Sequence, residues 1–176
     1  SIPERLSLFM QICSAVQHAH QKGIIHRDLK PGNILVESHD GKPVPKIIDF
    51  GLAKATSGMQ LSEHTLFTGF GNVMGTPLYM APEQALGTAD RLSDIYSIGA
   101  VLYALSTGRP PFQAATPLET LRQLQDTEVV EPRRLNAQIP RDLETITLKC
   151  LHKQPGSRYL SAEELADDLQ RFVDGK

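Results

Sequence analysis

The chain has 176 residues, with 18 Lys and Arg against 20 Asp and Glu, and a net charge of −2. This length suits one domain with a sizeable core, and the charge balance gives no basic surface field for nucleic acid. The longest apolar run, residues 95–105, is too short to span a bilayer, and the first residues carry no signal-peptide pattern. We therefore predict a cytoplasmic domain without nucleic-acid or membrane contacts.

The first part of the chain predicts one helix followed by two short strands. Apolar residues recur at helical spacing over residues 3–22, and Gly23 suits the end of that helix. Residues 34–36 and 46–48 are typical of strands, with a turn-rich segment between them. Residues 49–80, rich in Gly, Ser and Thr, predict a long irregular loop, which in a compact domain is more often functional than accidental.

Helices dominate the second half of the chain. Residues 93–108 are apolar on nearly all sides, which predicts a helix in the middle of the core. Shorter helices are predicted over residues 117–125 and 142–152. Ser161 followed three residues later by Glu164 is a capping-box pattern, which predicts the start of a last helix.

The two cysteines bear on the cellular compartment. Cys13 and Cys150 both fall on the apolar sides of predicted helices, far apart in sequence. We interpret them as buried free thiols in a reducing compartment, with a disulfide as the less favoured alternative. The fold class predicted from all elements is mainly α with a small β element.

A packet of polar residues lies between the apolar flanks of residues 24–36, IIHRDLKPGNILV. Asp28, Lys30 and Asn33 are close in sequence, and Asp49 follows the second predicted strand. An acid that orients a hydroxyl, a lysine that neutralises transferred charge and two oxygen ligands for Mg²⁺ suit phosphoryl transfer. Alone, each aspartate or asparagine would be interpreted as a turn residue. Their combination favours a catalytic site.

Residues 69–75, GFGNVMG, come close to the glycine-rich fingerprint of dinucleotide-binding folds. Met74 stands where the third glycine belongs, and no strand before the segment or helix after it is predicted. We therefore interpret this segment as loop and not as a nucleotide site.

Three motifs resemble those of protein kinases. HRDLKPGN (residues 26–33), DFG (49–51) and APE (81–83) occur in that family's order and with similar spacing. SDIYSIG (93–99) and PGSRY (155–159) also resemble kinase segments, so the resemblance covers essentially the whole chain. Lys30 and GTPLYMAPE (75–83) are similar to the serine/threonine class, and the chain resembles the eukaryotic-like, Hanks-type kinases of bacteria.

The resemblance implies that residues 1–176 form the large, carboxy-terminal lobe of a kinase domain. Such an enzyme transfers the γ-phosphoryl group of ATP to Ser or Thr hydroxyls of a protein substrate. Asp28 would be the catalytic base, and Lys30 would stabilise the phosphoryl group in flight. Asn33 belongs to the same catalytic set, and Thr76 would brace Asp28 and Lys30 near the substrate.

The resemblance further implies ATP and Mg²⁺ as cofactors. Asn33 and Asp49 would hold the metal, Lys30 would reach the phosphate, and Leu35 would lie beneath the adenine ring. The amino-terminal lobe, which carries the glycine-rich loop and the strand lysine, is missing from these residues and is implied as a partner. A non-catalytic, kinase-like binding or regulatory module is the alternative function. A membrane anchor elsewhere in the parent protein stays open.

Phosphorylation of the long loop is a further implication. Arg27 would engage a phosphate on that loop, so that its order depends on modification. Thr68, and after it Thr65, are the expected acceptors because of their distance from Thr76 in sequence.

Other residues are implied to be structural. Glu83 and Arg158 would form a buried ion pair, and Asp94 would hold the backbone around His26 and Arg27. His26 itself is expected to be a packed histidine and not a general base.

Overall fold

The computed structural model describes residues 2–50 and 77–176. The first helix, α1, runs over Ile2–Gln21, within a residue of the predicted bounds at each end. Gly23 lies in the turn just after the helix, and its φ of 73° is in the left-handed region that glycine adopts without strain. One face of α1 is buried, through Leu6, Phe9, Ile12, Cys13, Val16 and Ala19.

A two-stranded antiparallel hairpin follows, formed by β1 (Ile34–His39) and β2 (Lys42–Ile47). Asp40 and Gly41 connect the strands with φ of 51° and 76°, the positive values that a tight hairpin turn requires. The predicted strands 34–36 and 46–48 were therefore too short, and β2 ends at residue 47. The exposed end of the hairpin lacks the apolar alternation that marks a strand in sequence, since only the end next to the core is shielded from solvent.

Helices make up most of the remaining described chain. Two short ones, α2 and α5, were not predicted, and the longer ones match their predicted positions within about two residues. Their bounds are α2 (Pro82–Ala85), α3 (Arg91–Thr107), α4 (Pro117–Asp126), α5 (Pro132–Leu135), α6 (Arg141–Cys150) and α7 (Ala162–Val173). Single 3₁₀ turns occur at Pro31–Asn33 and Pro155–Ser157.

Helix α3 lies at the centre of the core, as its apolar sequence predicts. Every residue from 93 to 103 is buried, so the helix has no solvent-facing stripe over this length. Asp90 caps its start by accepting hydrogen bonds from the backbone N–H groups of Leu92 at 2.8 Å and Ser93 at 3.2 Å. The helix separates two apolar clusters: one where α1, α6 and α7 meet it, the other against α2 and α4.

Close packing of α3 on α6 depends on one glycine. A Cβ atom placed on Gly99 would lie 2.2 Å from the Cβ of Cys150, so no side chain fits there. Cys150 and Cys13 are buried free thiols, as predicted. Burial raises the pKa of Cys13 to about 12 and also raises the pKa of Cys150, so neither thiol is a ready nucleophile near neutral pH.

The last helix, α7, starts as predicted but not with the complete capping box. Ser161 accepts a hydrogen bond from the backbone N–H of Glu164 at 3.1 Å, and this half of the prediction is confirmed. Glu164 reaches back to the N–H of Leu160 at 3.0 Å, one residue before the cap. Within the described residues, no helix is both long and apolar enough to cross a bilayer.

Candidate active site

The polar residues predicted to carry chemistry lie in the segment from 26 to 33, which we call the polar loop. His26 is buried at the start of this loop, and its Nδ1 accepts a hydrogen bond from the backbone N–H of Asp28 at 3.1 Å. Its Nε2 therefore carries the proton and donates to the carbonyl of Ile48 at 2.8 Å. The ring also lies 4.7 Å from the ring of Phe50. His26 is a packed structural residue, as predicted.

Asp94, on α3, fixes the backbone at the start of the polar loop. Its two carboxylate oxygens accept hydrogen bonds from the N–H groups of His26 at 2.8 Å and Arg27 at 2.9 Å. The ring of His20 contacts the same carboxylate at 2.8 Å. Asp94 is buried, so these donors compensate for the lost hydration of its charge. The predicted role of Asp94 is confirmed.

Arg27 holds an unusual backbone conformation. Its φ is 69°, in the left-handed region, where a residue with a Cβ is less stable by about 1–2 kcal/mol. Such a conformation persists only where surrounding contacts hold it. Its N–H is bound by Asp94, and its carbonyl accepts a hydrogen bond from the side-chain amide of Gln84 on α2. The expected phosphate acceptors Thr65 and Thr68 lie outside the described residues.

Asp28 and Lys30 present their side chains at the surface. They are 47% and 44% exposed, with 3.3 Å between Lys30 Nζ and Asp28 Oδ2. The buried side chain of Asn33 donates from Nδ2 to the Asp28 carbonyl at 2.8 Å and to Asp28 Oδ2 at 3.2 Å. These bonds assign the amide orientation. The structure thus brings the three predicted residues together, with the carboxylate of Asp28 open to solvent.

Asp49 follows a residue that is hydrogen-bonded to the polar loop. The N–H of Ile48 donates to the carbonyl of Asn33 at 3.0 Å. Asp49 follows with an exposed side chain and a positive φ of 56°. Leu35 is exposed on β1, opposite Lys46. Thr76, the remaining predicted site residue, lies outside the described residues.

Glu83 and Arg158 form the predicted ion pair. The guanidinium binds both carboxylate oxygens, at 2.7 and 2.8 Å, and the Arg158 side chain is fully buried. Burial raises the pKa of Glu83, but the hydrogen bonds and charge of Arg158, together with hydrogen bonds from the backbone and from Ser93, outweigh it and hold that pKa below its ordinary value. Arg158 also donates to the carbonyls of His152, Lys153 and Leu92, so its hydrogen-bonding capacity is fully used.

Gln84 was not found by sequence reasoning. Its partner, the carbonyl of Arg27, lies 57 residues away in the chain, and a glutamine beside the APE motif has no distinctive pattern of its own. Only the strained backbone of Arg27, which requires outside support, could have pointed to such a residue, and φ is not readable from an arginine in sequence.

Comparison with known proteins agrees with the motifs. Residues 3–169 match the protein kinase domain family. A probable serine/threonine-protein kinase of Clostridium acetobutylicum is 42% identical over 161 residues, 90% of this chain and 23% of that protein. Serine/threonine-protein kinase PrkC of Bacillus subtilis is 40% identical over 172 residues, 97% of this chain and 25% of the relative. Serine/threonine-protein kinase PknB of Mycolicibacterium smegmatis is 38% identical over 172 residues, 97% of this chain and 26% of the relative.

The chain spans about a quarter of the length of the curated relatives it matches. The matching family is the one that residues 26–33, 49–51 and 81–83 resemble, and its match extends over most of the chain. The mainly helical fold with one small hairpin is that of the carboxy-terminal lobe of a kinase domain. The chain therefore belongs to the protein kinase family, and within it to the bacterial Hanks-type serine/threonine kinases.

Proposed function

We propose that this chain is the catalytic, carboxy-terminal lobe of a serine/threonine protein kinase, with ATP as phosphoryl donor and a protein hydroxyl as acceptor. One observation carries the proposal. Asp28 exposes its carboxylate beside Lys30 and Asn33, while side chains from α3 and α2 bind the backbone of the residues just before it. A residue placed in a turn for structural reasons alone needs no such support.

Asp28 would orient the hydroxyl of the acceptor and receive its proton as the oxygen attacks phosphorus. Lys30 Nζ lies 3.3 Å from Asp28 Oδ2, so a positive charge stands next to the point of transfer. In phosphoryl transfer the protein contributes chiefly by positioning the reactants and stabilising developing charge. Thr76, outside the described residues, completes this proposed catalytic set.

Asn33 and Asp49 would hold Mg²⁺. The nitrogen of the Asn33 amide is committed to Asp28, so its oxygen, the atom that a hard cation prefers, is the end directed away. Within the described residues, no three His, Cys, Asp or Glu side chains are grouped closely enough to hold a metal ion by themselves. A site of few protein oxygens fits Mg²⁺, which neutralises phosphate charge and takes its other ligands from phosphate and water.

The nucleotide and an amino-terminal lobe would cover the apolar surface beside this site. Ile24, Leu35 and Val36 adjoin the polar loop in sequence and are each about half exposed, so a covering partner would shield apolar area from water. Leu35 would contact the adenine ring, and Lys30 and Asn33 would lie on the phosphate side. We also propose a cytoplasmic location, which the free buried thiols Cys13 and Cys150 support.

The experiment measures transfer of labelled phosphate from ATP to a protein substrate by the full-length gene product that contains this chain. We expect Mg²⁺-dependent labelling of Ser and Thr, reduced about 100-fold or more by Asp28→Asn, since the base is lost while the shape is kept. Asp40→Asn, the same change at the hairpin turn, is the matched control and should leave the rate unchanged.

Two results would contradict the proposal. Equal rates for wild type and Asp28→Asn would exclude Asp28 as the base. A folded full-length protein that transfers no phosphate, also after grafting of the chain onto the amino-terminal lobe of a relative, would favour the alternative of a binding or regulatory module.

A further inference from the structure

We infer that Gln84 is a positioning residue for the reaction: its amide holds the peptide unit between Arg27 and Asp28, and through it the orientation of the Asp28 carboxylate. The inference rests on the proposed function and extends it to a residue outside the three kinase motifs. Gln84 contacts no group that would touch ATP or the acceptor hydroxyl among the described residues, so its effect would pass entirely through Asp28.

The geometry of this peptide unit is the first step. Its carbonyl, from Arg27, accepts the hydrogen bond of the Gln84 side-chain amide, and its N–H, from Asp28, donates to His26 Nδ1 at 3.1 Å. Both polar ends of one peptide plane are therefore bound by side chains from different parts of the chain. Rotation of the plane would break both bonds at once, and a rotation about ψ of Arg27 that is not compensated at φ of Asp28 would also change the direction of the Asp28 side chain.

The conformation of Arg27 is the second step, because it makes this support necessary. With φ at 69°, the residue is outside the region that an arginine prefers, and its relaxation would rotate the peptide unit that follows. Asp94 binds the N–H before this strained position, whereas Gln84 binds the carbonyl after it. Of these two supports, only the one from Gln84 acts on the peptide unit that leads directly to Asp28.

The side chain of Asp28 cannot supply this support itself. Its described contacts are with Lys30, which is 44% exposed, and with Asn33, at 3.2 Å. An exposed ion pair contributes little to holding a long side chain in one position. The direction of the carboxylate is thus set chiefly by the backbone beneath it.

Gln84 is itself held firmly, which is the third step. The preceding residue, Glu83, is bound to the buried Arg158, and the following residue, Ala85, is buried in the apolar cluster between α2, α3 and α4. α2 is thereby fixed to the core on both sides of Gln84. The amide extends this rigidity to the polar loop, so the position of α2 is coupled to the orientation of Asp28.

The interaction requires a donor, which determines the variants. Gln84→Glu keeps the shape but presents an acceptor to the Arg27 carbonyl, and Gln84→Met keeps the length without a polar group. Gln125→Met is the matched control. Gln125, on α4, donates to the Pro82 carbonyl of α2 at 2.7 Å, so this substitution removes another glutamine hydrogen bond to α2 without contact to the polar loop. All are made in the full-length kinase.

The experiment compares kcat, KM for ATP and the hydrogen exchange of the Asp28 backbone N–H. We expect both Gln84 variants to lower kcat on the order of 10-fold to 100-fold with KM for ATP nearly unchanged, since misplacement of the base affects the chemical step. Exchange at Asp28 should become faster in the same variants. Gln125→Met should leave kcat and this exchange rate near their wild-type values.

The outcomes separate this inference from the proposed function. Gln84 variants with wild-type kcat and wild-type exchange would overturn the inference while leaving the kinase assignment intact. An equal loss of kcat in Gln125→Met would also overturn it, because the effect would then be a general loosening of α2. If the wild type transferred no phosphate, the proposed function would fail, and unchanged exchange at Asp28 would still reject the contact.

Discussion

The charged side chains of the polar loop are exposed to solvent, whereas those of the ion pair formed by Glu83 and Arg158 are largely shielded from it. In the ion pair, the guanidinium meets both carboxylate oxygens and donates its remaining N–H groups to backbone carbonyls inside the protein. In the polar loop, side chains bind the backbone, while Asp28 and Lys30 are each nearly half exposed. The charges of the ion pair are neutralised within the protein, whereas those of the polar loop are accessible to a ligand.

The two regions should therefore respond differently to substitution. Removal of one partner from a fully satisfied buried pair leaves an unpaired charge in the interior, so stability falls. Removal of an exposed charge leaves a group that water solvates, so stability changes little. Substitutions in the ion pair should therefore lower the stability of the fold, and substitutions in the polar loop should lower the activity.

Arg158→Met should give the largest change in stability. The substitution keeps an apolar stem but leaves the Glu83 carboxylate without its cationic partner and the carbonyls of His152, Lys153 and Leu92 without the donors of Arg158. We expect a loss of about 3–5 kcal/mol in the free energy of unfolding, measured by urea denaturation. Arg158→Lys, which keeps the charge without the bidentate geometry, should fall between this variant and wild type.

An exposed ion pair provides the matched control. Arg134 binds Glu131 at 2.9 Å, with side chains 74% and 54% exposed. Arg134→Met should change the free energy of unfolding by less than about 1 kcal/mol. If Arg158→Met changed stability as little as Arg134→Met, the contrast between buried and exposed charge would be wrong.

Gly99→Ala would test how tightly the core beside the ion pair is packed. The added methyl group would lie 2.2 Å from the Cβ of Cys150, which must move because no rotamer can avoid the contact. We expect destabilisation of about 1–3 kcal/mol, seen in urea denaturation. Gly156→Ala is the control: no atom lies within 4 Å of the added group, so a loss as large as that of Gly99→Ala would contradict the packing argument.

The pH dependence of stability gives a smaller effect, at Lys153. Burial lowers the pKa of this half-buried amine to about 8, against opposing contributions from Glu128 and Asp126, while Arg158 lowers it further. Its Nζ donates to the carbonyl of Leu124 at 2.5 Å and lies 4.1 Å from the centre of the Phe112 ring. Between pH 8 and the ordinary lysine pKa of 10.5, the unfolded chain holds more protons, so the contribution of Lys153 to stability rises with pH.

Other groups titrate in the opposite sense at high pH. Burial raises the pKa of Cys13, Cys150 and Tyr96, so these residues lower stability as pH rises through their ordinary pKa values. The contribution of Lys153 is therefore obtained as the difference in the free energy of unfolding between wild type and Lys153→Met, measured from pH 7 to about 9.5. That difference should shift in favour of wild type as pH rises, and a constant difference would show that the Lys153 pKa is not lowered.

The sequence allowed the ion pair and its framework to be predicted well. The helix α3 is apolar on all sides, and this pattern has few interpretations other than a buried helix. The contacts of Glu83, Arg158 and Asp94 were predicted through the kinase resemblance, since sequence separation alone says nothing about which charged residues meet. Hairpin length was predicted poorly because Pro43 and Pro45 obscure β2, although prolines two residues apart can both direct their nitrogens away from β1.

The support of the polar loop could not be predicted in full. The types and order of Asp28, Lys30 and Asn33 indicated the chemistry, but the φ of Arg27 and the amide of Gln84 have no counterpart in the residue pattern. Backbone strain arises from tertiary contacts, and a common residue such as glutamine becomes informative only when its partner is known.

The most direct test measures two quantities, the rate of phosphoryl transfer and the free energy of unfolding, on wild type, Asp28→Asn and Arg158→Met. We expect Asp28→Asn to lose transfer by about 100-fold or more with the free energy of unfolding within about 0.5 kcal/mol of wild type. Arg158→Met should instead lose stability. An Asp28→Asn protein that keeps the wild-type transfer rate would contradict the assignment of the polar loop as a catalytic site.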